Sequence, residues 1–135
     1  MSGEVSLAEQ LRAMVDKAER TLRAAERHLA DGDADFASSK AYYAAFHLMQ
    51  AALLTRQRTY SKHAGVLAGF SEHFIKPGVV PTEFGQKLQR LRKDREVGDY
   101  GYLLRVEPTA ARDDVQTARQ LLTALTPYLR PFLAP

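Results

Sequence analysis

Three short stretches gather the residue types that can hold a phosphate or move a proton. The first is Ser38-Ser39-Lys40-Ala41-Tyr42-Tyr43-Ala44-Ala45-Phe46-His47. The second is Ser61-Lys62-His63-Ala64-Gly65-Val66, and the third is Arg95-Glu96-Val97-Gly98-Asp99-Tyr100-Gly101-Tyr102. Arginine can grip a phosphate through two parallel hydrogen bonds, and histidine exchanges a proton near neutral pH. Tyrosine, titrating near ~10, is a poor proton carrier at pH 7 but can stack on a base. Arg95 and His63 are therefore the candidate catalytic pair. Lys40, Tyr43, His47, Lys62, Asp99, Tyr100 and Tyr102 are the candidates for contact with a nucleotide or a partner.

Other chemistries find little support. The chain has no cysteine, so thiol catalysis, thiolate metal sites and disulfides are excluded. His28, His47, His63 and His73 never fall three or four apart, and no Glu-x-x-His pattern occurs, so no metal site is expected. There is no phosphate loop, dinucleotide glycine pattern or nucleophile elbow, and no cofactor is expected. A Ser-His-Asp triad stays open. An R-x4-H string at Arg58–His63, with Arg56 giving R-x6-H, lies between two helices and reads as coincidence.

Structural roles compete for the same residues. Arg95 and Asp99 fit a local ion pair as well as a ligand contact. Tyr100 and Tyr102 fit a cover over the end of a helical bundle better than a stacking platform. Tyr42, Tyr43 and Phe46 read as core, with Asp99 or His63 as partners for the hydroxyls. His47 reads as an interior or interface histidine, and the row Lys87, Arg90, Arg92, Lys93, Arg95 as a solvated face.

Helices must position these groups. Leu7, Leu11, Met14, Val15, Ala18, Leu22, Ala25 and Leu29 form one apolar stripe over residues 5–30. Ser6 and Glu9 fit a capping box, and Asp31-Gly32-Asp33 fits a stop. A second helix over 34–56 carries the stripe Tyr42, Phe46, Met49, Leu53 beside Tyr43 and His47, and its alanines let neighbours approach closely. Ser61 is expected to cap a short third helix running to about Phe74. Lys76-Pro77-Gly78 is a turn, and Pro81 sits in the first turn of a fourth helix that ends near Gly98. A loop over 98–107 leads to Pro108, which opens a fifth helix that Pro127 ends or kinks. No stretch alternates with period two. These elements predict an all-α, antiparallel up-and-down four-helix bundle with an additional short helix, a single domain over 1–135.

Composition agrees with that class. Hydrophobic residues make up 45% and charged residues 26% of the chain, as in a globular domain. The net charge of +3 permits contact with nucleotide or RNA without requiring it. No stretch resembles a signal peptide or approaches a membrane span, so a cytoplasmic protein is expected.

Taken in order, the three opening stretches resemble the HEPN family, in particular its short stand-alone proteins. Those carry a "YYA-x-F" second helix, an "S-K-H-x-G-V" start to the next and an "R-x-x-x-D-Y" close to the fourth. The resemblance spans nearly the whole chain. It implies a homodimer, or a pair with a minimal nucleotidyltransferase encoded alongside, resembling a toxin–antitoxin system. It also implies metal-independent ribonuclease chemistry wherever an R-x4-6-H motif from each protomer meets across the dimer. Here the row reads Arg95-x4-Tyr100-x-Tyr102, with tyrosine in the histidine position. The leading expectation is therefore a binding or regulatory subunit with a nucleotide- or partner-binding cleft. A HEPN ribonuclease, using Arg95 with an unusual second residue or Arg58 with His63, comes second, and another kind of small-molecule-binding bundle third. All three require the end of helix four, the middle of helix two and the start of helix three to meet.

Overall fold

The computed structural model describes residues 5–134. Its helices are α1 (Leu7–Ala30), α2 (Ala34–Leu54), α3 (His63–Phe70), α4 (Phe84–Tyr100) and α5 (Pro108–Leu133). A single π-helical turn, Ser71–Ile75, continues α3. No strand occurs among the described residues, and no helix there is long and apolar enough to cross a membrane.

Cross-links between helices fix the topology. Arg12 reaches the carbonyl of Leu133, and Arg119 pairs with Glu26, so α1 and α5 run antiparallel. Lys87 near the start of α4 bonds to Gln120, while Asp94 further along α4 neighbours Asp114, so α4 and α5 are antiparallel too. Ser38 meets Asp114 while Thr55 meets Tyr128, so α2 and α5 run parallel across the bundle diagonal. The result is the up-and-down bundle, with α2 against α1, α3, α4 and α5 at once. Its alanines explain how. Ala37, Ala41, Ala44, Ala45, Ala51 and Ala52 are fully buried, and each lets a neighbouring backbone come close.

Several boundaries differ from the sequence pattern. Ser6 caps α1 as expected, accepting from the Glu9 backbone N–H at 3.1 Å. Leu7, however, is exposed, because the stripe enters the core only at Leu11. Ser61 caps nothing: α3 begins at His63 after Lys62, with no side-chain cap. Pro81 lies in a turn closed by its own carbonyl to the Phe84 N–H, and α4 starts at Phe84. α4 also passes through Gly98 to Tyr100. Pro127 does not end α5, which continues through it and Pro131. Tertiary packing overrides the lost bonds: Leu125 and Leu129 are buried, and Tyr128 packs edge-on against Phe74.

One glycine sets the approach of α4 to α2. A Cβ at Gly98 would run into the carbonyl oxygen of Asp35, at the start of α2. The Asp35 carboxylate, in turn, accepts from the Val106 N–H at 2.8 Å and anchors the loop after α4. Gly85, on the same helix, has open space where a Cβ would go. Gly98→Ala should therefore lose about 1–3 kcal/mol through overpacking, despite alanine's better helix propensity. Gly85→Ala should gain up to about 1 kcal/mol. Urea denaturation of the two variants checks the opposite signs.

Candidate functional site

α4 meets α2 along a seam of polar and aromatic side chains. On α4, Arg92, Arg95 and Asp99 follow a three-then-four spacing and so share a face. On α2, Ser39, Tyr42, Tyr43 and Phe46 face them. Arg95 is only 8% exposed. Its guanidinium carbon lies 4.8 Å from the Tyr42 ring centroid and 5.9 Å from that of Tyr43. Aromatic faces are attractive walls for a cation that has lost its water. Its Nη1 lies 3.5 Å from the Asp99 carboxylate, and Asp99 accepts a short hydrogen bond from the Ser39 hydroxyl. Burial weighs against the guanidinium charge, but Tyr43, Tyr42 and Asp99 turn the net direction of the Arg95 pKa upward, and Asp99 is the carboxylate beside it.

α3 brings the histidine. His63 is the first residue of α3, and its Nδ1 sits 2.9 Å from the Tyr42 hydroxyl. Its ring stacks on Phe46 at 4.3 Å and lies nearly parallel to Tyr42. Burial lowers the His63 pKa, and the Arg95 and Arg92 charges lower it further, so the imidazole is neutral at pH 7. Burial raises the Tyr42 pKa and keeps the phenol neutral, leaving it free to donate to His63 or accept from it. Arg95, Tyr42 and His63 thus form one connected unit drawn from three helices.

The other candidates divide. Tyr43 and Asp99 belong to this unit; burial and then the Asp99 charge raise the Tyr43 phenol. Lys62 precedes His63 and is exposed, and Lys40 is exposed on α2. His47 is not brought to the site: its pKa is lowered by burial and then by Lys17 of α1, on the other side of α2. Tyr100 and Tyr102 do not cover the bundle end. They are 72% and 96% exposed, and with Leu103 and Leu104 at 98% and 73% they form an apolar strap. Tyr100 and Leu104 line an open groove of about 500 Å³ together with Lys93, Arg95, Glu96 and Val97. Arg58 lines a separate cavity of about 200 Å³ with Gln10, Met14, Gln50 and Tyr60, apart from Arg95. Among the described residues, no three His, Asp or Glu side chains gather to hold a metal.

Pattern reading passed over Ser39 and Arg92. Their signal was present as spacing: Ser39 lies one turn before Tyr42 and Tyr43, and Arg92 one turn before Arg95.

With this geometry in place, comparison with known proteins is direct. The model of the HEPN domain matches residues 11–127. The chain belongs to the HEPN family. A UPF0332 protein of Thermotoga maritima is 38% identical over 89 residues, covering 66% of this chain and 67% of that protein. Two proteins of Methanocaldococcus jannaschii, each described as a putative toxin, are also similar. One is 29% identical over 126 residues, 93% of this chain and 86% of its own. The other is 32% identical over 94 residues, 70% of each.

A second polar cluster supports α4 from behind. Ser38, beside Ser39, donates to Asp114 Oδ2 at 2.8 Å, and Asp114 is fully buried. Asp114 Oδ1 and Asp94 Oδ2 are buried without a partner. Burial, and then the neighbouring Asp94, push the Asp114 carboxyl up to about 8, while Arg90 pulls the other way. At neutral pH Asp114 therefore keeps a proton that Asp94 can receive as a hydrogen bond. An acid whose folded pKa is raised stabilises the fold below its ordinary pKa. That contribution fades as pH rises from its ordinary 3.8 towards about 8. Asp114→Asn fixes the neutral state. Its melting temperature should stay flatter than the parent's between pH 5 and pH 8.5 in scanning calorimetry. Parallel curves would remove the shared proton from the account.

Proposed function

We propose that this HEPN protein is the toxin-type subunit of a pair with a nucleotidyltransferase, and that its Arg95–Tyr42–His63 cleft binds a nucleotide phosphate, free or within RNA. The observation that carries the reading is the state of Arg95. Arg95 is 92% removed from solvent, its Nε has no partner, and its nearest carboxylate oxygen, on Asp99, lies 3.5 Å away. Such an under-satisfied buried cation is costly unless an anion completes it. The aromatic rings around it offer faces for a base, and His63 offers a proton-exchanging group within the same unit.

The strap Tyr100-Gly101-Tyr102-Leu103-Leu104 adds a partner surface beside the cleft. Large apolar side chains exposed in sequence and next to the site are the kind of patch that association covers. In this reading a second copy of the chain covers it, bringing two clefts together. Leu103→Asp with Leu104→Asp should then shift the protein from dimer to monomer in sedimentation velocity, without unfolding it.

A second reading is a metal-independent ribonuclease. It is favoured by the neutral imidazole of His63, which can take a proton at pH 7 although the motif position holds Tyr100.

Fluorescence anisotropy with short RNA and with mononucleotides tests the binding reading. Arg95→Ala should weaken binding at least about tenfold, the loss of one charged hydrogen-bonding pair. Undiminished binding by that variant ends the assignment. RNA cleavage in the presence of EDTA, lost on His63→Ala, would select the ribonuclease reading. Co-purification of a nucleotidyltransferase from the native host tests the pairing, and recovery of the protein alone counts against it.

A further inference from the structure

Arg92 stands outside the family's motif row and the sequence pattern placed it on a solvated face. In the structure its Nε is buried with no hydrogen-bond partner, as is that of Arg95 one turn later. No ion pair engages Arg92 among the described residues, whereas Arg95 has Asp99. Arg92 lies one turn before Arg95 on the same side of α4, near enough for its charge to act on Tyr42 and His63 as that of Arg95 does. His63 Nε2 has no partner among the described residues, since the one hydrogen bond of its ring there joins Nδ1 and the Tyr42 hydroxyl. Two guanidiniums with unpartnered Nε groups on one side of α4, and an imidazole at the start of α3, thus lie around the Tyr42 ring that Arg95 faces.

We propose that Arg92, Arg95 and His63 together form a site for a phosphomonoester dianion, the terminal phosphate of a nucleotide or of an RNA end. The inference rests on the phosphate-binding reading above and specifies its ligand. A phosphodiester inside a strand offers two non-bridging oxygens and one negative charge. A terminal phosphate offers three oxygens and, above its second ionisation near ~6, close to two charges. Three donors match three oxygens. The charges match as well. Arg92 and Arg95 supply two positive charges and Asp99 removes one, leaving an excess of one. A dianion brings the balance to minus one, and a proton taken up by His63 closes it. The imidazole is suited to that step, because it is neutral in the empty site and its Tyr42 partner can switch from donor to acceptor. Bound dianion should thus turn the electrostatics of His63 around, from two cations that repel its proton to an anion that attracts it.

Calorimetric titration with adenosine 5′-monophosphate, the diester ApA and its 5′-phosphorylated form pApA tests this. The two compounds with a terminal phosphate should bind at least about tenfold tighter than ApA. Tighter binding of pApA than of the mononucleotide assigns the site to an RNA end, and the reverse order to a free nucleotide. Arg92→Ala should abolish the preference, and Arg92→Lys should restore part of it. In NMR titrations the midpoint of the His63 ring signals should rise on adding the monophosphate and not on adding ApA. Equal binding of all three compounds overturns the inference, as does a preference that survives Arg92→Ala; the phosphate-binding cleft itself survives either result. Failure of every phosphate compound to bind removes the cleft and this inference together.

Discussion

The buried guanidinium of Arg95 is the constraint around which this bundle is arranged. Moving a full charge out of water is expensive unless the surroundings replace the lost hydration. Here the replacement comes from several elements at once. α2 provides the faces of Tyr42 and Tyr43, and α4 itself provides Asp99. Ser39, again from α2, holds Asp99 in place. None of these contacts forms unless α4 lies close against the first half of α2, and Gly98 is what permits that approach. The same Tyr42 that faces Arg95 also holds His63, so the position of α3 is tied to the charge as well. Fold and site are here one problem.

Ser38 and Ser39 show how closely the two are joined. Neighbours on a helix point about 100° apart, so one serves the α5 carboxyl and the other the α4 carboxylate. Asp114 is kept neutral by burial, while Asp99 stays beside a cation. Asp114 and Asp99 thus meet different surroundings, a buried neighbouring acid in one case and a guanidinium in the other. A protonated Asp114 lowers the charge crowded between α4 and α5, and Asp99 pairs with Arg95. α2, with its small residues, can touch both partners because it contributes little bulk of its own.

Much of this was legible in the residues. The apolar stripe of α1, the alanine-rich centre of α2 and the helix-stopping Asp31-Gly32-Asp33 all produced the expected elements. The meeting of Arg95, Tyr42, Asp99 and His63 follows from antiparallel α2 and α4 with a short α3 between them, and three sequence stretches pointed to it. Local rules failed where packing decided. Pro81 and Pro127 each signal a helix end or start in isolation, yet α4 begins three residues after the one and α5 continues through the other. Tyr100 and Tyr102 looked like cover for the bundle end because aromatic residues usually find something to bury against. In the structure they stay exposed beside Leu103 and Leu104, with no neighbouring helix over them among the described residues. His47 shared a helix with Tyr43, but only the neighbouring helix decides which side of α2 is the site. Arg92 looked like one of a solvated row, since sequence spacing does not show that its Nε is sealed from water.

The tyrosine in the motif row gives these observations a common direction. A histidine at position 100 would stand on an exposed turn, since the residue there is 72% open to solvent. It would reach a phosphate only with a second protomer to enclose it. His63, in contrast, is held by Tyr42 and Phe46 within a single chain, against the very side chains that wall in Arg95. Proton-exchanging capacity has thus been separated from the strap and placed inside the bundle. The strap keeps only apolar and aromatic surface, suited to association. In the proposed reading, ligand recognition belongs to the α2–α3–α4 seam and partner recognition to the loop after α4. Arg95 sits where the two adjoin, lining the groove beside the strap while facing the aromatic rings of the seam. A partner that covers the strap must therefore also close one side of the cleft, so that association and ligand binding act on the same buried charge.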